Sequence, residues 1–350
     1  MSCILINRDI CSNIGRDIWR ILVEFIKFIT KRFLQVIPLI VLVSIISFFI
    51  IRLAPIDPLA ELRLNPSISE ETLQKEVKRL NLDKPIIIQY LSWAKSFVQL
   101  DLGYTSDGER VSVKLKERIP NTLLLTLVVI FMTWIVGIPL GMFAAVKKDT
   151  VWDRILTILS SIGMAIPSFF FAILMLMFAV KTGWFPVGGL TSYNFNEMSF
   201  LGKFIDISKH LVLPVIVLFS ISLSGLQRQM RANMLEVLDS DYIKFARAKG
   251  VSEFKIVFKH ALRNAINPMI TLLGFEFAGL LSGAALTEYV FQYPGLGRLI
   301  LEAVMKSDIN LVMASLMMGT IMLVLGNLIA DILLMLTDPR TRTAREGGDK

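Results

Sequence analysis

Glu276 is the residue best placed for chemistry in this sequence, because it is the one charge in an apolar stretch from Ala265 to Thr287. A carboxylate at membrane depth is costly, so it either serves a water-filled pathway or pairs with a polar group on a neighbouring helix. The pathway reading would have Glu276 meet a substrate amine; the pairing reading carries slightly more weight. Asn327 and Asp331 lie four residues apart in another apolar stretch and share one helical face. Helix–helix hydrogen bonding is the main expectation there, with a gate as the lesser one. Nothing in the chain points to catalysis. It has no G-x-x-x-x-G-K-S/T phosphate loop, no H-E-x-x-H zinc motif and no G-x-S-x-G elbow. His210 and His260 are its only histidines, so no metal site and no cofactor are expected. Met313, Met317, Met318 and Met322 recur at helical spacing and read as packing.

The elements that carry these residues are membrane spans. The chain is 54% hydrophobic and its mean hydropathy is +0.62, too apolar for an ordinary soluble domain. Six stretches are long enough to cross a hydrocarbon core of roughly 30 Å: Phe33–Ile51, Asn121–Val146, Ile155–Val180, Leu211–Gln227, Ala265–Thr287 and Ile309–Ala330. Gly137, Gly141, Gly274 and Gly279 within them suit close helix packing. A net charge of +8 raises the question of nucleic acid, but the basic residues flank the apolar stretches, where they set orientation. Eight of them lie between Arg228 and Arg263, while Arg298 and Lys306 are the only two between the last two spans. The positive-inside rule therefore places both termini and the 228–264 loop in the cytoplasm. The long loop between the first two spans is basic yet external, beyond the length over which the rule counts. Cys3 and Cys11 fall in the cytoplasmic N-terminus, so no structural disulfide is expected.

The connections have structure of their own. Before the first span, Arg16, Arg20, Glu24, Lys27 and Lys31 alternate with apolar residues. That pattern fits a basic amphipathic helix on the inner membrane surface, or equally an extension of the first span. Its apolar core is too long for a cleaved signal peptide. In the first external loop, Ser69 opens a helix to about Leu80, and a second is expected from Pro85 to Leu100 with Tyr90, Trp93 and Phe97 on one side. The second external loop contains Gly183-Trp-Phe-Pro-Val-Gly-Gly, the third Phe291-Gln-Tyr-Pro-Gly-Leu-Gly-Arg, both turn-rich. The cytoplasmic loop reads as a helix from Leu226 to about Lys249, stopped by Gly250. A second helix follows, capped by Ser252, with Phe254, Val257, Phe258 and Ala261 as its apolar stripe. Pro268 opens the fifth span.

At this loop the sequence becomes specific. Asp241-Tyr-Ile-Lys-Phe-Ala-Arg-Ala-Lys-Gly250 resembles the coupling-loop signature of ABC importer permeases in the oligopeptide/dipeptide/nickel family. The resemblance runs from about Lys31 to Arg342. It takes in Leu82-Asp-Lys-Pro with Gln89-Tyr90, Trp184-Phe-Pro-Val-Gly-Gly, His210-Leu-Val-Leu-Pro214 and His260-Ala-Leu-Arg-Asn264. It continues through Glu288, Phe291 and Pro294-Gly-Leu-Gly297 to Asn327-Leu-Ile-Ala-Asp331 and Asp338-Pro-Arg340. Two departures are local: Ile56 stands where the family has glycine in Ala54-Pro-Ile-Asp-Pro58, and Leu100-Asp-Leu-Gly103 replaces a Gly-Asp-Leu-Gly pattern.

The resemblance implies an all-α, type I ABC importer permease fold of six transmembrane helices, with a structured external loop between helices 1 and 2. The implied divisions are a cytoplasmic segment 1–32, the first span plus external loop at 33–119, a permease core at 120–338 with its coupling loop at about 228–264, and a tail at 339–350. It implies a first (B-type) permease in a prokaryotic inner membrane. Its partners would be a second, C-type permease, two cytoplasmic ATPase subunits, an extracytoplasmic substrate-binding protein and membrane lipid, with no nucleic acid. Tyr242, Ala246, Arg247, Ala248, Lys249 and Gly250 would form the ATPase-coupling element. Glu288, Phe291, Pro294, Gly295 and Gly297 would form the external gate or turn. Di- or oligopeptides are the expected cargo; nickel chelates, glutathione and oligosaccharides are the alternatives, and an ion-coupled secondary transporter the more distant one.

Overall fold

The computed structural model describes residues 30–32, 34–53, 69–79 and 82–337, with single residues 23, 27, 59 and 63 besides. Most of the amphipathic segment ahead of the first span (Arg16, Arg20 and Glu24), with Cys3, Cys11, the Ala54–Pro58 exit and the tail beyond 337, lies outside the described residues. Apart from one bridge between Tyr104 and Arg110, the regular structure among those residues is helical. The chain divides after Leu53. The first unit, Met1–Leu53, contains helix α1 (Thr30–Leu53). The second begins with two short helices, α2 (Glu70–Arg79) and α3 (Ile86–Val98), where the sequence pattern expects them. Ser69 accepts the Thr72 amide at 3.3 Å, the capping bond that starts α2. On α3 the rings of Tyr90, Trp93 and Phe97 follow one another at centroid distances of 6.1 and 5.3 Å.

The rest of this unit comprises α4 (Val111–Val146), α5 (Val151–Ala165), α6 (Ser168–Thr182), α7 (Phe200–Leu238), α8 (Asp241–Ala248), α9 (residues 253–265), α10 (Asn267–Val290), α11 (Leu296–Met305) and α12 (Ile309–Thr337). Helices α1, α4, α7 and α12 are long and apolar enough to cross a bilayer, and the bent pair α5–α6 makes a fifth if it is one span. The remaining expected crossing falls on α10, which is 24 residues long and stands outside that count.

The pair α5–α6 departs from the single straight span expected at 155–180, because the two halves meet at 96°. Pro167 has no amide hydrogen and drives the residue before it out of the helical region. Ile166 is accordingly extended (φ −84°, ψ 120°). Helix α7 also differs from expectation: it runs unbroken to Leu238, through Pro214 and eleven residues past its apolar stretch.

Small residues set the helix spacing. A Cβ at Gly141 would lie 2.8 Å from the Gln227 carbonyl oxygen on α7, so α4 and α7 touch there at backbone distance. A Cβ at Gly274 would lie 2.6 Å from Asn327 Oδ1, which marks the same kind of approach between α10 and α12. Gly137 faces Leu226 similarly, whereas Gly279 meets nothing within 4 Å among the described residues. Met313, Met317 and Met322 are buried, as packing residues should be.

Candidate functional site

Between α7 and α10 the chain forms a compact projection whose centre is Ile243, a fully buried residue of α8. Ile243 joins Met234, Ile256, Ala261 and Met269 in one apolar cluster that fixes α8 across the ends of α7, α9 and α10. Burying such a side chain is worth about 2 kcal/mol. The other faces of α8 point outward. Tyr242 is 46% exposed and its hydroxyl accepts the Asn264 side-chain amide at 2.7 Å. Phe245 is 61% exposed, with Lys249 Nζ 4.5 Å above its ring.

Gly250 ends α8 at φ +79°. Its amide donates to the Arg247 carbonyl at 2.9 Å and the Val251 amide to the Ala246 carbonyl at 3.2 Å, the paired bonds of a Schellman stop. Arg247 Nε reaches over the turn to Glu253 at 2.8 Å, and this carboxylate pushes the guanidinium pKa up. The expected second helix then starts at Glu253 but widens to a π-turn over Ile256–Ala261. Its apolar stripe divides in two. Val257 and Ala261 go inward, while Phe254 and Phe258 stay exposed, their rings 4.6 Å apart. Tyr242, Ala246, Arg247, Ala248, Lys249 and Gly250 are thus brought together on one anchored turn, with Phe245, Phe254 and Phe258 added. The exposed rings of Phe245, Phe254 and Phe258 lie beside the basic side chains of Arg247 and Lys249 on this surface.

The turn from α10 to α11 forms a second constellation. Glu288 is fully buried. Its carboxyl accepts the Thr122 hydroxyl at 2.7 Å and the Arg298 amide at 2.9 Å in the first turn of α11. Thr122 Oγ1 in turn accepts the Leu296 amide at 2.7 Å. Asn121 donates to the Pro294 carbonyl at 2.7 Å, and Tyr293 returns a hydroxyl bond to the Asn121 carbonyl at 2.8 Å. Burial pushes the Tyr293 phenol pKa up, with Glu288 adding to it. A side chain at Gly295 would place its Cβ 2.3 Å from the Glu288 carboxyl, and one at Gly297 2.6 Å from Ala285 Cα. Phe291 packs with Ala172, Leu213 and Val217, and its carbonyl accepts the Gly189 amide at 3.0 Å. The Gly-rich loop at 183–189 is therefore docked on this turn. The sequence marks Asn121 only as the start of an apolar stretch and Tyr293 only as part of the 291–298 turn, and it does not mark Thr122. The signal available for Thr122 is its place beside Asn121, two polar residues side by side at the head of an apolar stretch.

Glu276 meets a different partner. Trp134 Nε1 on α4 donates to Glu276 Oε2 at 2.8 Å. Asn327 faces Gly274 at the α10–α12 approach. Glu276 and Asn327 accordingly have different neighbours in these contacts. Two further polar ties join the helices. Arg231 on α7 clasps Asp153 on α5 at 2.6 and 2.7 Å. Asp206 accepts the Ser192 amide at 2.8 Å and stands 3.7 Å from His210 Nδ1.

Residues 137–343 match the family model of the binding-protein-dependent transport system inner membrane component, and residues 25–126 the model of its N-terminal part. An oligopeptide transport system permease protein of Bacillus subtilis is 39% identical over 89% of this chain and 98% of its own. A di/tripeptide transport system permease protein of Pseudomonas aeruginosa is 35% identical over 91% of this chain and all of its own. The dipeptide transport system permease protein of Escherichia coli is 34% identical over 91% of this chain and 99% of its own. Among solved structures, an inward-facing form of the MetNI methionine ABC transporter shares the fold, with a TM-score of 0.53 at 18% identity over 65% of this chain and 97% of that one.

Proposed function

Because this chain belongs to the family of binding-protein-dependent transport system inner membrane components, we propose that it is a permease subunit of an ATP-driven importer, forming half of a pathway for di- or oligopeptides. The relatives named for oligopeptide, di/tripeptide and dipeptide transport support the cargo. The observation that carries the mechanism is the projection built on Ile243. A helix anchored by a buried residue and bearing exposed Tyr242 and Phe245 can transmit force from a partner seated on it. In this reading the loop is cytoplasmic and the partner is one of two ATPase subunits. Closure of the ATPase pair moves α8, and with it the ends of α7 and α10, so that this permease and a second, C-type permease rock between inward- and outward-facing states. An extracytoplasmic binding protein delivers cargo to the opposite side, where the Glu288 turn braces the outer ends of α4, α10 and α11. Glu276 pairs α10 with α4 through Trp134, in preference to contacting cargo; Asn327 and Asp331 hold α12 to its neighbours.

The test is to tag this chain, solubilise it gently and identify its companions by mass spectrometry. A second permease and an ATPase subunit should co-purify, and Gly250→Asp should lose the ATPase while keeping the permease. Recovery of the chain alone, or transport by it alone on an ion gradient, would overturn the reading.

A further inference from the structure

The break between α5 and α6 opens a cavity of about 310 Å³ against α4 and α7, near the small end of the range for ligand pockets. Its walls are apolar, with Leu140, Ile162 and Phe171 among them, and its polar edge comes from α7. Gln227 on that edge is only 3% exposed. One end of its amide meets the Ser160 hydroxyl, and the other, assigned as Nε2, has no hydrogen-bond partner. Turning the amide round would orphan its oxygen instead, so one polar atom is left open in either orientation. Among the described residues Gln227 is the one such side chain that lines this cavity, so a ligand atom seated there could complete its set.

The same edge carries acceptors. The hydroxyls of Ser220 and Ser224 donate to the carbonyls of Ile216 and Ser220, which leaves their oxygens free to accept. Across the cavity α6 starts afresh at Ser168 with no side-chain cap, so its first-turn amides add donors at the break. A donor and an acceptor beside an apolar chamber complement one peptide unit and its apolar side chain.

We propose that this cavity is a subsite for one apolar residue of the transported peptide, with the Gln227 amide donating to a backbone carbonyl and Ser220 or Ser224 accepting from a backbone amide. The inference rests on the peptide-importer reading above. The polar groups offered to the peptide by Gln227, Ser220 and Ser224 all stand on α7, while the broken helix supplies apolar wall.

The experiment uses the full importer reconstituted in vesicles, with uptake of Leu-Leu and Gly-Gly measured side by side. Gln227→Leu removes the donor at similar volume and should raise KM about tenfold for Leu-Leu, while complex recovery and binding-protein-stimulated ATP hydrolysis stay unchanged. Leu140→Trp fills the chamber and should depress Leu-Leu uptake far more than Gly-Gly uptake. If wild-type vesicles import peptides and both variants keep its KM and side-chain preference, the subsite is overturned. If Gln227→Leu fails to assemble, Leu140→Trp decides alone by the same preference. Wild-type vesicles that import no peptide would overturn the parent reading instead.

Discussion

Glu276 and Glu288 stand on the same helix, yet the chain treats the two acids differently. Glu276 has one donor, Trp134, at 2.8 Å and is partly buried. Glu288 is fully buried and ties Thr122 to the first turn of α11. A helix terminus leaves its first amides unpaired, and a carboxyl there satisfies them. Glu288→Ala should therefore strand the Thr122 hydroxyl and the Arg298 amide together, costing about 3 kcal/mol, read as a fall in thermal stability of the solubilised complex. Glu276→Gln keeps an acceptor for the indole and should leave uptake and its pH dependence unchanged. Trp134→Phe should cost only about 0.6 kcal/mol, the usual size of a hydrogen bond between membrane helices. A large uptake loss or a new pH dependence in Glu276→Gln would return that residue to the pathway. The sequence favours pairing for Glu276 and puts Glu288 in the external turn, but it names a partner for neither. Thr122 and Glu288 are 166 positions apart, and an apolar run reveals no neighbour.

At the scale of elements, local signals read well and long apolar runs read poorly. Ser69 and the Tyr90, Trp93, Phe97 spacing gave α2 and α3, because caps and aromatic faces are local. The 96° break at Pro167 was missed since the uncharged stretch continues on both sides of Pro167-Ser168 and hides the boundary. The extra turns of α7 were assigned to a loop helix, because Arg228 and Arg231 end the apolar stretch without ending the helix. Gly250 was legible for a backbone reason. Only its φ of +79° demands glycine, as a Cβ there would meet nothing within 4 Å. Gly250→Ala should thus cost only about 1 kcal/mol and leave the assembled importer active. Failure of that variant to assemble would show that the tip must admit a partner's backbone closely, a demand set by the complex and absent from the chain.

Across the whole molecule the open question is which side of the membrane each constellation faces, and charge supplies the argument. The segment around α8 and α9 concentrates basic residues, while the connection from α10 to α12 offers Arg298 and Lys306 alone. Short basic loops stay in the cytoplasm, so α8 should be inside and the Glu288 turn outside. Tyr193, in the loop docked near Phe291, is fully exposed, and Phe245 is 61% exposed, so both accept a probe without disturbing the core. In intact cells Tyr193→Cys should react with a membrane-impermeant maleimide, and Phe245→Cys only after permeabilisation. Labelling with the sides reversed would place α8 where no ATP is available, and a coupling role for it would then be physically excluded. Labelling as expected would put the Ile243-anchored surface in reach of a cytoplasmic motor. It would also set the braced Glu288 turn where cargo arrives, so that movement applied at one end of α10 is delivered at the other.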